Sequence, residues 1–122
     1  MVDIFGPEGI RDYVRATIQL THSKIVIPHR IHELKGLSCM HRRQRSVNLR
    51  TFPGIGEVEG GQDFYPNSKG YFELVATNDI RVRAASMEHT VPCVGFVVEE
   101  KMRAGRLKSE IVLPLFAKNQ VP

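Results

Sequence analysis

The sequence predicts an α/β fold, a mixed sheet flanked by helices, and three stretches predict it. Ile80, Val82 and Ala84 alternate with Arg81 and Arg83, the period of two that a strand with one buried and one wet face requires. From Cys93 to Val98 the chain is apolar almost without interruption, which predicts a strand covered on both faces. Ile10, Tyr13, Val14, Thr17, Ile18 and Leu20 recur at intervals of three and four, the stripe of a helix lying on a core.

The elements follow in order. Residues 2–5 read as a short strand, and Gly6-Pro7 as a turn whose proline presets the backbone for a helix over 8–21. Glu8 then stands in the first helical turn, where a carboxylate complements the helix dipole, and Arg11, Asp12, Arg15 and Gln19 take the solvent face. Residues 24–34 read as a strand in which Pro28 demands an edge position or a bulge. His29 and His32, three apart, face opposite ways, so one metal ion cannot take both without a bulge.

Residues 36–70 are the least patterned part, and a connection this long inside a domain reads as a functional loop or an insertion. It carries a basic cluster, Arg42, Arg43 and Arg45 with Arg50 beyond. Pro53-Gly54-Ile55-Gly56 and Gly60-Gly61 have no strand before them and no helix after, so they do not suit a phosphate-cradling loop. Residues 71–76 form a strand, Asn78-Asp79 a tight turn, and the strand from Ile80 its hairpin partner. His89 stands at that strand's end. Residues 94–100 make a third antiparallel neighbour, and Ser109 caps a helix over 110–118 that Pro114 kinks or shortens.

Composition restricts the function classes. The chain has 122 residues, 42% hydrophobic and 25% charged, ordinary for one soluble domain. Its net charge of +4 favours an anionic partner. Cys39 and Cys93, the two cysteines, have no CxxC spacing, which argues against a disulfide framework or zinc ribbon and for a reducing compartment. The amino terminus shows no signal peptide, and no run is apolar enough for a membrane span. The expectation is an intracellular protein, with cytoplasm, nucleus and mitochondrion undistinguished.

Glu88-His89, Gly95-Phe96 and the loop from Lys101 to Leu107, together with the block Ile4 to Tyr13 and the later Ile31-His32-Glu33-Leu34, resemble ribonuclease Z. That family comprises zinc-dependent endonucleases that trim the 3′ trailer from precursor tRNA, in the metallo-β-lactamase superfamily. The resemblance implies a partial metallo-β-lactamase-like αββα sandwich, incomplete, with residues 1–122 as a single partial domain and an irregular loop at 36–70. It implies that His89 is the one zinc ligand this stretch contributes, projecting from a strand end. The family's His-x-His-x-Asp-His motif would precede this stretch and a further Asp and His would follow it, so no catalytic residue is assigned within the chain.

Phosphodiester hydrolysis at neutral pH needs an activated nucleophile and something to absorb charge on the phosphate oxygens, and a pair of zinc ions supplies both. One imidazole cannot retain zinc, because a stable site takes about three or four protein ligands with a supporting shell. The chain alone is therefore not expected to hold the metal. By the same resemblance Lys101, Arg106 and Lys108 contact the substrate, precursor tRNA, and the complete enzyme is a homodimer. Ala104 and Lys108 depart from the proline and asparagine typical of that loop. Two other readings compete: a non-catalytic basic module that holds RNA through Arg42, Arg43, Arg45, Arg106 and Lys108, with His89 structural, and an interaction protein that completes its sheets against another chain.

Overall fold

The computed structural model describes residues 1–38 and 49–119. In chain order these form β1 (Val2–Pro7), α1 (Ile10–Leu20), β2 (His29–Leu34), β3 (Asp63–Phe64), β4 (Tyr71–Ala76), β5 (Ile80–Met87), β6 (Cys93–Glu100) and α2 (Ser109–Lys118). Parallel and antiparallel pairing are segregated by sheet. One sheet has the order β1-β2-β3 and is parallel, whereas the other has the order β4-β5-β6 and is antiparallel.

β2 is the central strand of its sheet, not the edge that Pro28 suggested. The proline stands one residue before the strand, so its missing N–H removes no ladder bond, and its carbonyl accepts the Val2 N–H at 2.9 Å. Five of the six residues of β2 are buried. Its two faces differ in what they meet. The face of Glu33 turns to α1, and the face of Arg30, His32 and Leu34 turns to the second sheet.

α1 begins at Ile10 rather than at position 8, because β1 runs on through Gly6 and Pro7. Gly9 occupies the N-cap with φ of 99° and has no side chain to cap the helix. Glu33 supplies the cap from β2: its Oε1 accepts the backbone N–H groups of Gly9 and Arg11, both at 3.1 Å. Glu8 lies outside the helix and pairs with Lys35.

The helix is also rotated from the expected face. Tyr13 and Leu20 are 66% and 81% exposed, while Arg11, Asp12 and Arg15 turn inward to Glu33, Thr51 and Glu57. Acids on the facing segments favour arginine at positions 11 and 15, and the Thr51 hydroxyl donates to Asp12, which a hydrophobic stripe cannot reveal.

Within the stretch read as irregular, residues 54–64 run along β2 by backbone bonds. His29 N–H reaches the Gly56 carbonyl at 2.9 Å, Val58 N–H reaches that of His29 at 2.9 Å, and Glu33 N–H reaches that of Gln62 at 3.0 Å. Asp63 and Phe64 then pair with Glu33 and Leu34 as β3. Glycine permits this approach. A Cβ on Gly56, at φ of 88°, would lie 2.2 Å from the Ile25 carbonyl oxygen, and one on Gly61 2.5 Å from that of Ile31.

The antiparallel sheet follows expectation in order and pairing, with β5 extended to Met87 and a register shift between Glu73 and Val75 that leaves a bulge in β4. The sheets meet where Leu34 packs with Phe72 and Ala84, flanked by Leu37, Phe64, Leu74 and Val94.

β6 departs from the double coverage that its sequence predicts. Only its first residues reach the core, and Phe96, Val97 and Val98 are 47%, 53% and 64% exposed. From Phe96 to Glu100 every residue of β6 is exposed, so among the described residues no layer covers either face of its outer half. α2 likewise buries no residue, although Ile111, Leu113, Leu115 and Phe116 are apolar. It starts at Ser109, which is inside the helix and not its cap, and continues past Pro114 to Lys118.

Two substitutions test this arrangement. Gly56→Ala meets a carbonyl oxygen and a positive φ together, so urea unfolding should show a loss of about 2 kcal/mol or more. Glu33→Ala removes an acceptor whose side chain is 6% exposed and strands two amide donors, so it should cost about 2–3 kcal/mol in the same measurement.

Candidate metal and RNA-contacting residues

β5 ends at Met87, and His89 lies two residues on, exposed, in the connection to β6. Its Nδ1 is 3.2 Å from the Thr90 hydroxyl. Ser86, three residues before it, is tied to the segment leaving β2: the Ser38 N–H donates to Ser86 Oγ at 2.9 Å, and the two hydroxyls are 2.7 Å apart. The structure therefore sets His89 beyond a strand end, where the sequence reading placed it.

Among the described residues no group of three or more His, Cys, Asp or Glu side chains could hold a metal ion. A single exposed imidazole does not meet the donor set that zinc requires, so the residues present do not fit a zinc site by themselves. His29 and His32 do not add to it. His29 Nδ1 donates to the Ile27 carbonyl at 2.9 Å, and its Nε2 has no hydrogen-bond partner among the described residues.

His32 is engaged on both nitrogens. The Gln62 N–H donates to Nδ1 at 3.1 Å, which leaves the proton on Nε2, and Nε2 donates to Asp3 Oδ1 at 2.9 Å. Its ring stacks on Phe5 with centroids 4.6 Å apart.

The basic loop over residues 101–108 joins β6 to α2 without regular structure and is exposed throughout. It carries four cations and no acid. Elsewhere in the fold Arg11, Arg15, Arg30, Lys35, Arg81 and Arg83 are each paired with a carboxylate. Lys101, Arg106 and Lys108 have no ion-pair partner among the described residues. Arg103 reaches Asp79 at 2.6 Å. Arg42, Arg43 and Arg45 lie outside the described residues.

A cleft of about 410 Å³ opens between the face of the parallel sheet and the bulged part of β4, lined by Asp3, Arg30, His32, Gln62, Phe64 and Val75 among others. Neither His89 nor the basic loop lines it. Its charges satisfy one another. Arg30 Nε donates to Asp3 Oδ1 at 2.7 Å and Nη2 to Oδ2 at 3.1 Å. The Arg30 guanidinium, with His32 second, holds the Asp3 carboxyl down at about 2.

Burial would raise the Glu33 carboxyl, but the Lys35 ammonium at 2.8 Å and the Arg11 amide outweigh it and hold it below the usual range. Arg15, forked onto Glu57, does the same there. Sequence reasoning did not find the Asp3–Arg30–His32 set, since its members are brought together by parallel register and only the alternation of Arg30 and His32 within β2 signals a shared face.

No family model matches the sequence. Over 113 residues the chain is 31% identical to zinc phosphodiesterase ELAC protein 1 of Bos taurus, a match covering 89% of this chain and 31% of that protein. The Homo sapiens protein of the same name is 28% identical over 114 residues, with the same coverage. Ribonuclease Z of Streptococcus suis (strain 98HAH33) is 27% identical over 124 aligned positions, covering 96% of this chain and 30% of that one.

Among solved structures, human tRNase Z, short form (ELAC1), superposes with a TM-score of 0.61 at 25% identity, over 81% of this chain and 32% of that chain. The resemblance to ribonuclease Z thus extends over most of the chain, and the fold is part of the metallo-β-lactamase-like sandwich. The chain spans about a third of the length of the curated relatives it matches.

The acid limb of stability tests the Asp3 cluster. Asp3 titrates lower in the folded chain, at about 2, than the roughly 3.9 of an unfolded aspartate. Its contribution is therefore complete above the higher value and is lost as pH falls through the lower one. Asp3→Asn should lower the urea midpoint near neutrality and flatten its decline between about pH 4 and pH 2. An unchanged acid limb would show that the carboxylate is not linked to folding.

Proposed function

We propose that this chain, similar over most of its length to zinc phosphodiesterase ELAC protein 1 and ribonuclease Z, is a central segment of a tRNA 3′-trailer endonuclease, forming a single partial domain of that fold. His89 supplies one zinc ligand, and Lys101, Arg106 and Lys108 hold phosphates of precursor tRNA. The observation that carries this reading is the match itself, which spans 89% of the chain at 31% identity. When bound, zinc would supply the activated nucleophile and the charge stabilisation. This chain's own part is to place one imidazole beyond a rigid strand and to present cations beside it in sequence. The segment alone retains no zinc and does not cut RNA.

A homodimer and an intracellular location belong to the same proposal. Among the described residues no helix is long and apolar enough to cross a membrane.

The non-catalytic RNA-holding alternative draws support from one observation, the absence of ion-pair partners for Lys101, Arg106 and Lys108 among the described residues. It requires no metal at all. Elemental analysis of a longer protein carrying this segment separates the two readings. His89→Ala should reduce zinc content and abolish cleavage of precursor tRNA, whereas Arg106→Ala should leave zinc in place, raise KM and lower the salt slope of binding by about one. Full zinc and normal turnover after His89→Ala would reject the ligand assignment.

A further inference from the structure

We infer that Asp79 is a positioning residue for the basic loop over residues 101–108, an inference that rests on the RNA-contacting reading of that loop. Asp79 sits in the β4–β5 turn, immediately before β5 and level with the end of β6, since Ile80 pairs with Glu100. Its backbone carbonyl accepts the Lys101 N–H at 2.8 Å, one rung beyond the last strand pair, Ile80 with Glu100. Its carboxylate takes the Arg103 guanidinium at 2.6 Å. Among the described residues no other hydrogen bond or ion pair holds residues 102–107 before the first bonds of α2.

The turn is a firm base for this tether. Thr77 Oγ1 accepts the Asp79 N–H at 3.3 Å and the Ile80 N–H at 3.0 Å, and the Thr77 N–H donates to the Ile80 carbonyl at 2.9 Å. Four cations in eight residues repel one another, and a carboxylate beside the second of them relieves that repulsion at the root of the loop. Lys101, Arg106 and Lys108 are left for solvent or an anion. The ion pair is exposed, with side chains 73% and 61% accessible, so its effect is modest and adds to the backbone bond made by the same residue.

Charge alone and positioning predict opposite signs. Removing a carboxylate beside a phosphate-binding loop would tighten RNA binding if Asp79 acted only through its field. Loss of the tether weakens binding, because the freed loop must be ordered again on the RNA.

The experiment has two arms on the full chain. In the first, trypsin cleavage after Arg106 is followed by intact mass without RNA. Asp79→Ala and Arg103→Ala should each speed it about two- to fivefold, and Asp79→Glu should restore the wild-type rate. In the second, binding to a precursor-tRNA transcript is titrated. Asp79→Ala should weaken it by a similar factor with an unchanged unfolding midpoint, and Arg106→Ala should weaken it too. Unchanged cleavage rates would overturn the tether. So would Asp79→Ala binding as tightly as wild type, or tighter, while Arg106→Ala weakens binding. Faster cleavage with no transcript binding by the wild-type chain would uphold the tether and reject the RNA reading of the loop instead.

Discussion

The carboxylate of Glu33 is the interaction on which the parallel half of the molecule depends. An ionised carboxylate so far out of water is unfavourable unless several donors surround it, and here the amides of Gly9 and Arg11 and the ammonium of Lys35 do so. Those donors fix where α1 starts and how it lies on β2. Once the helix is fixed, Arg15 lies over Glu57 and Asp12 beside Thr51, so the segment leading to β3 is drawn against the sheet. The residue after Glu33 faces the other way. Leu34 is fully buried in the cluster that joins the two sheets, so adjacent positions of one strand organise both layers.

Features that depend on near neighbours in sequence were legible, and features that depend on distant ones were not. β4, β5 and β6 could be read because alternation and a tight turn are local. The central position of β2, the existence of β3 and the rotation of α1 could not, because each is decided by acids or backbone carbonyls some tens of residues away. Hydrophobic pattern misplaced Tyr13 and Arg15 for that reason: it registers apolar content and is blind to an acid such as Glu57 waiting across the interface. In the candidate site, the chemistry of His89 came only through resemblance, since a lone exposed histidine carries no signal of its own. The density of charge in the basic loop was visible in the sequence, but the hold of Asp79 on Arg103 was not.

The two halves of the chain are unequally covered. β2 is packed on both faces, while much of β6 and all of α2 show apolar side chains to solvent. Under the proposed function these are the surfaces on which further parts of a ribonuclease Z domain would pack. They set a physical cost for the segment by itself, because uncovered apolar area and open strand edges both favour association with other chains.

The segregation of parallel and antiparallel pairing also has a kinetic meaning. Val2 meets His29 and Glu33 meets Asp63 across long stretches of chain, whereas Glu73 meets Arg83 and Arg83 meets Val97 across short ones. Loop-closure entropy rises with separation, and contacts distant in sequence slow folding. The β4-β5-β6 meander is thus the natural first structure to form, and it forms with the edge of β6 bare. Until β1 and β2 have found each other and Leu34 has closed over Phe72, the earliest ordered part of the chain is also the part most open to pairing with a neighbour.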